Sequence, residues 1–504
     1  MNRYEEKMKD YHENKVRVQK LLNRPWEMLI NGEFVSAKSG QTIETYNPAT
    51  QELLATVPFA QNEDIEDAYH AAFEAFEKWR NVPVTERVKF IYRIIDILKE
   101  HKEDLALIDA LNSGNPLQGM LKDVDIACDS MAYLAGTALD VKGQTFPSTE
   151  GNWHFTTREP YGVVARIVPY NHPLMFAATK IVAPIVMGNT VILKAPDQDP
   201  LACMYFAELI NKILPAGVIN IITGDGPITG NALVQHPHIK RISLIGSVST
   251  GMRIQEAAAQ TAVKHISLEL GGKNPMIVFP DADIDGAVDG VFNGMNFCSV
   301  QGQSCGSTSR LFIHEYIHDE FVQKLIAKME SNIKLGMPID PSTTMGCLVS
   351  KSQYDKVNYY ISLGKEEGAK LIYGGHHPSL PELKNGYFVE PTIFDGVDSS
   401  MRIAQEEVFG PVLSIIKWNE EEEVLNQANS TEFGLTASLW TNDIKKAVRF
   451  SREIQSGVIW INQSSRHYVG LPFSGYKNSG LDSEESIEEL YSYTQIKTVN
   501  VIVD

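Results

Sequence analysis

The chain has 504 residues, enough for roughly three structural units, and 43% apolar with 21% charged residues is an ordinary globular composition. Its formal net charge of −18 opposes phosphate backbones and anionic lipid, and no apolar run nears the ~20 residues of a membrane span. Neither nucleic acid nor a membrane is therefore expected as a partner. Five cysteines in so long a chain exclude a disulfide framework and point to a reducing compartment, the cytoplasm by default.

In chain order, the opening MNRYEEKMKDYHENKVRVQKLLNR has no apolar signal core and is too acidic for a transit peptide, so it reads as a solvated helix. Residues 62–112 read as helical throughout, with Ala68, Ala71, Ala72, Ala75 and Phe76, then Val88, Ile91, Ile94, Ile95 and Leu98, at helical spacing. Residues 141–160 have turn signals around strand-like runs and read as a projecting hairpin. Five β-branched runs follow at 163–170, 190–195, 218–224, 241–246 and 265–271, separated by helical stretches such as 200–215 and 249–261. Strands alternating with helices imply a parallel sheet covered on both faces, with ligands bound beyond its carboxyl ends. After residue 272 the pattern restarts as a second α/β unit. The glutamate run 420–423 opens a helix, where the dipole favours acids. Residues 494–504 read as a strand whose exposed edge invites a second copy, so a homo-oligomer is expected.

Several positions can carry chemistry. Glu269, in LELGGKNP (268–275), ends a strand beside Gly271 and Gly272, where backbones approach closely. Cys305, in QGQSCG (301–306), is a thiol in a glycine-flanked loop, the setting of an activated nucleophile, although most free cysteines are small buried hydrophobes. Asn171 lies between Pro169 and Pro173, which hold it off helix and fix its amide as an oxyanion donor or a simple turn residue. GDGPITG (224–230) and GSVSTG (246–251) each follow a strand and open a helix, offering free N–H groups to a phosphate, yet neither is the G-x-G-x-x-G fingerprint. Lys194 and Asp197 at a strand end suit ribose hydroxyls, and the carboxylate would repel a 2′-phosphate.

Together PYNHP, ILKAPD, GSVSTG, LELGGKNP, QGQSC, EEVFGPV (406–412) and PFSGYKNSG (472–480) resemble, in that order, the NAD(P)-dependent aldehyde dehydrogenase superfamily. The similarity runs from about Ile30 to the C-terminus, and LELGGKNP fits the family's glutamate signature at every position. The resemblance implies an α/β fold with a Rossmann-type cofactor domain (1–140 with 161–271), a second α/β catalytic domain (272–480) and a small β oligomerisation element (141–160 with 481–504) in a homodimer or homotetramer. It implies oxidation of an aldehyde to its acid through a thioester on Cys305, with Asn171 and the Cys305 N–H holding the oxyanion and Glu269 activating water. For the cofactor it implies Lys194 and Asp197 at the adenine-side ribose, Ser247 near the pyrophosphate, Glu407 at the nicotinamide ribose and Phe409 nearby, with Gly226, Gly230, Gly246 and Leu270 completing the set. Asp197 favours NAD over NADP, and the presence of Glu269 favours hydrolysis over transfer to coenzyme A.

The same resemblance draws a substrate tunnel from His172, Phe176, Thr179, Ser304, Phe473 and residues 464–471, suited to an aromatic, medium-chain or semialdehyde substrate. Arg466 and His467 could meet a substrate carboxylate, or be solvated loop residues. The chain departs from the family at PFSG, at SGLDSEE (479–485), which lacks a second glycine and a basic residue, and in a longer stretch from Glu269 to Cys305, where Cys298 could reshape the tunnel. HEYIH (314–318) spells a zinc-protease motif, but the alternation in RLFIH puts His314 on a strand and His318 on the following helix, so no metal site is expected.

Overall fold

The structure, a computed structural model, describes residues 3–502. The opening helix Arg3–Leu22 is less solvated than expected, because Val18 and Leu21 are buried in its last turns. The expected continuous helix over 62–112 is three, Asn62–Trp79, Val84–Glu100 and Lys102–Ser113. Pro83 and His101 sit at the breaks and cap the second and third helices, consistent with proline's exclusion from a helix interior.

The five expected strands form a parallel sheet, in the order Ile219–Ile222, Thr190–Lys194, Val163–Ile167, Arg241–Ile245, His265–Glu269. Successive strands run outward in opposite directions from Val163–Ile167, so the topological switch lies between it and Arg241–Ile245. That junction is where a sheet of this class opens a ligand crevice. Antiparallel strands finish both edges, Met28–Ile30 followed by Glu33–Val35 on one side and Gly480–Leu481 on the other. The second sheet orders Lys370–Tyr373, Thr392–Asp395, Val412–Trp418, Arg310–His314, Pro275–Val278, Thr436–Trp440 and Val458–Ile461, parallel except at its first edge. The glutamate run opens the helix Glu421–Asn429 as read from sequence.

Two expected boundaries move. The expected hairpin within 141–160 is short: around the antiparallel bridge Thr145–Phe155, Phe146 N–H donates to the His154 carbonyl and Thr156 N–H to that of Gln144. The strand Asn152–Pro160 also pairs antiparallel with Thr494–Ile502 along its whole length. Residues 503 and 504 of the expected terminal strand lie outside the described residues. Residues 481–493, grouped from sequence with that strand, belong instead to the first sheet: Leu481 pairs with Leu268, and Leu490 and Tyr493 are fully buried in the core beneath it.

Candidate active site

The carboxyl ends of the first sheet open into a cleft of about 600 Å3 whose walls include Asn171, Lys194, Asp197, Gly226, Gly230, Gly246, Ser247, Glu269, Cys305, Glu407 and Phe409. Residues from seven separate stretches of chain thus converge on one cleft. Leu270 is the exception. Its side chain turns into the core against Gly251, where an added Cβ would come within 2.9 Å of it.

Local packing fixes the reactive groups. Asn274 Nδ2 donates to the carbonyls of Cys305 and Ser307 at 2.7 and 2.9 Å, pinning the loop that carries the thiol. A Cβ on Gly272 would lie 2.5 Å from the Cys305 carbonyl oxygen, so the glycine permits this approach. Burial pushes the Glu269 carboxyl up to about 8, and burial with the neighbouring Glu269 raises the Cys305 thiol well above its ordinary value. Glu269 Oε1 is buried with no hydrogen-bond partner among the described residues. Asn171 is buried, its carbonyl accepts from Asn115 Nδ2 at 2.9 Å, and its own side-chain amide has no partner among the described residues. A thiol, a carboxylate beside it and an unengaged amide donor are the groups an acyl transfer needs.

The rest of the cleft fits a dinucleotide. Ser247 caps the helix Val248–Ala259, accepting from Thr250 N at 3.2 Å, at the turn where N–H groups and dipole attract phosphate. Asp225 caps the turn that begins at Gly226. Glu407 accepts from Gly272 N–H at 2.8 Å, and a Cβ on Gly271 would sit 2.4 Å from the same carboxylate. Phe409 holds φ +57°, and Gln353 donates to its carbonyl at 2.6 Å. Gln353, Lys356 and Arg253 also line the cleft and were not read from sequence, since nothing local to them marks a site.

The aldehyde dehydrogenase family model matches residues 34–499. An aldehyde dehydrogenase, tropH, of Talaromyces stipitatus is 42% identical over 94% of this chain and 93% of its own length. The Bacillus cereus aldehyde dehydrogenase solved with NAD+ superposes with a TM-score of 0.93 at 40% identity, covering 97% of this chain and 99% of that one. The chain belongs to the aldehyde dehydrogenase family. A betaine aldehyde dehydrogenase from Staphylococcus aureus in complex with NAD+ matches at 35% identity and a TM-score of 0.93, over 97% of this chain and 98% of that one.

Beside Glu269, this aldehyde dehydrogenase buries a charged cluster that the sequence reading missed. Lys180 Nζ pairs with Glu484 Oε2 at 2.8 Å and Glu489 Oε2 at 3.9 Å. Arg166 pairs with Glu484 at 3.3 Å and Glu489 at 3.7 Å and donates to Ser243 and Tyr493. Against the effect of burial, these partners hold the Lys180 and Arg166 cations above their ordinary proton affinities and keep Glu484 below its own. A lone Arg in VVARIV and a lone Lys in MFAATKIVAPIV were the available signals. In the altered segment, Asp482 and Glu485 take φ +81° and +66°, and Asp482 lies 3.6 Å from Arg241. Left-handed backbone at non-glycine residues costs of order 1 kcal/mol each.

None of His172, Phe176, Thr179, Ser304 or Phe473 lines the cleft. Four of them group around the helix Pro173–Thr179, which Lys180 follows, and the 464–485 segment: His172 is edge-on to Phe176, Lys180 lies over Phe176, and Phe473 exchanges backbone hydrogen bonds with Glu484. Arg466 and His467 are exposed loop residues, the second of the two alternatives that the sequence left open. His467 is paired with Glu485 at 3.1 Å, and the Arg466 guanidinium lies over Tyr468. Cys298 packs against the second sheet's core beside Thr344, so its side chain is committed there. His314 ends a strand and His318 begins the next helix, facing Asp395 at 2.9 Å, as the alternation implied.

Proposed function

We propose that this aldehyde dehydrogenase oxidises an aldehyde to its carboxylic acid, with NAD as acceptor, through a thioester on Cys305. The observation that carries the reading is the convergence of Cys305, Glu269 and Asn171 in one cleft, where burial raises the proton affinity of the Glu269 carboxyl toward that of a general base. Bound NAD supplies the hydride acceptor. Cys305 Sγ gives its proton to the adjacent carboxylate and forms a bond to the carbonyl carbon. The Asn171 amide and the Cys305 backbone N–H stabilise the resulting oxyanion. Loss of hydride from that carbon leaves the thioester. Glu269 releases that proton to solvent and then takes one from water as the water oxygen attacks; the C–S bond breaks to release the acid, and Glu269 returns its proton to the Cys305 thiolate. Aldehyde, water and NAD become acid, NADH and a proton.

Lys194, Asp197, Ser247 and Glu407 hold the cofactor in this reading. The exposed Asp197 carboxylate opposes a 2′-phosphate, so kcat/KM should be higher with NAD than NADP, and equal values would overturn that preference. The substrate is an aromatic, medium-chain or semialdehyde compound. The ribbon of Asn152–Pro160 and Thr494–Ile502 is the intersubunit element of a dimer or tetramer, supported by exposed Trp153, Ile496 and Ile502 on it. Five free cysteines suit the reducing cytoplasm.

In the test, Cys305→Ala should form no NADH, while Glu269→Gln should give one NADH per site, accumulate acyl-enzyme by mass spectrometry and turn over roughly 10²-fold or more slowly. Wild-type steady turnover by Glu269→Gln without acyl-enzyme would sink the hydrolytic role.

A further inference from the structure

The residues expected to form the tunnel contain a repeated arrangement that the family resemblance does not supply. His172 follows the oxyanion asparagine directly, and its Nδ1 lies 2.6 Å from Oδ2 of the buried Asp123. His467 Nδ1 lies 3.1 Å from Glu485 Oε2. Each imidazole also meets a phenylalanine: His172 is edge-on to Phe176 at 5.9 Å, and His467 stacks on Phe473 at 5.0 Å. The two halves belong to one wall, because Lys180 lies over Phe176 and pairs with Glu484, whose backbone is hydrogen-bonded in both directions to Phe473. The Glu485 charge is felt at Cys305, so the wall stands within electrostatic reach of the nucleophile.

A carboxylate at Nδ1 fixes the tautomer. A carboxylate only accepts, so Nδ1 donates in each pair. The neutral tautomer that this selects at His172 leaves Nε2 as an acceptor in a set direction. At His467, against burial, the Glu485 charge raises the proton affinity of the ring and favours a donating Nε2. Neither Nε2 has a hydrogen-bond partner among the described residues, and both side chains keep solvent access. Asp123 and Glu485 also add negative charge on this side, which disfavours a substrate carboxylate. Resting on the reading of Cys305 as the nucleophile, we propose that His172, oriented by Asp123, and His467, oriented by Glu485, select an aromatic aldehyde bearing a hydroxyl group, with His172 Nε2 accepting its hydrogen bond and Phe176 and Phe473 packing near its ring. Asp123 and Glu485 act as positioning residues.

A site built to bond a hydroxyl discriminates against the analogue that lacks it, because its own polar group is then left unpaired. The experiment compares kcat/KM for 3-hydroxybenzaldehyde, benzaldehyde and 3-carboxybenzaldehyde by NADH formation in the full-length enzyme. The wild type should favour the hydroxyl compound over benzaldehyde by about tenfold or more, and the carboxylate should be the poorest. His172→Phe should bring the hydroxyl-to-plain ratio to about one, and Asp123→Asn should lower it, whereas His172→Gln, which retains an acceptor oxygen, should keep part of it. A wild-type ratio near one overturns the proposal without any variant, as does a ratio unchanged in His172→Phe. Oxidation of benzaldehyde with no hydroxyl preference removes this inference alone, while silence toward all three aldehydes and acetaldehyde removes the catalytic reading with it.

Discussion

Each of the two sheets has a pair of buried cations associated with it, and the pairs are held in opposite ways. Arg166, in the first sheet, and Lys180, in the helical segment after it, face the carboxylates Glu484 and Glu489. Arg310, in the second sheet, has carbonyls instead, donating to Lys273, Gln427 and Ala428, and Lys273 lies beside it. All four side chains are almost wholly buried. Burial lowers Arg310 to about 9 and Lys273 to about 7, while the carboxylates raise Arg166 and Lys180 despite the same burial. Full charge partners, more than depth, decide whether a buried cation keeps its proton. The second pair does a different job: Arg310 caps the end of the helix Glu421–Asn429, donating to the Ala428 carbonyl and sharing the Gln427 carbonyl with Ser430.

The contrast can be broken at either end. The largest effect is expected at Glu484→Gln, which leaves Lys180 and Arg166 short of their shared carboxylate. Stability should fall by about 3–5 kcal/mol in urea titration, and a loss below about 1 kcal/mol would mean that Glu489 alone suffices. Arg310→Met should cost less, about 1–3 kcal/mol, because stranded carbonyls are partly offset by removal of a desolvated cation. Equal losses at the two sites would erase the distinction. Lys273→Met should be smallest near pH 10, under about 1 kcal/mol, and should differ in slope. With a native value near 7 against an ordinary 10.5, the native state binds fewer protons than the unfolded chain between those limits. Lys273 therefore makes stability rise with pH from about 7 to 10.5, and its penalty is fully present below 7. Lys273→Met should flatten that rise in melts taken from pH 6 to 10, and an unchanged slope would count against the buried-lysine account.

Much of this was legible in the residues. The five strands of the first sheet are short β-branched runs bounded by glycine, and the helices between them have helical spacing, so the parallel sheet and its crevice follow from local pattern. Cys305, Glu269 and Asn171 sit in motifs whose local chemistry announces itself. Lys180 and Glu484 do not, because a lysine in an apolar run shows that a partner is needed without showing which acid, far along the chain, supplies it. The pairing of Asn152–Pro160 with Thr494–Ile502 was hidden for the same reason, since strand character is local and register is not. Leu270 shows the reverse error: a residue inside a functional motif whose side chain serves packing.

The return of residues 480–493 to the first sheet has a consequence for how the protein is made. During synthesis, Lys180 and Arg166 leave the ribosome long before Glu484 and Glu489, and His265–Glu269 must wait for its edge partner Gly480–Leu481. At roughly 5–20 residues per second, the nascent cofactor-side unit persists for many seconds with two apolar-embedded cations unneutralised and the sites for Leu490 and Tyr493 unfilled. The final stretch of chain thus acts as the closing clasp of the first unit, and a ribosome stalled shortly before it would release a body with every catalytic side chain present and its interior charge unbalanced.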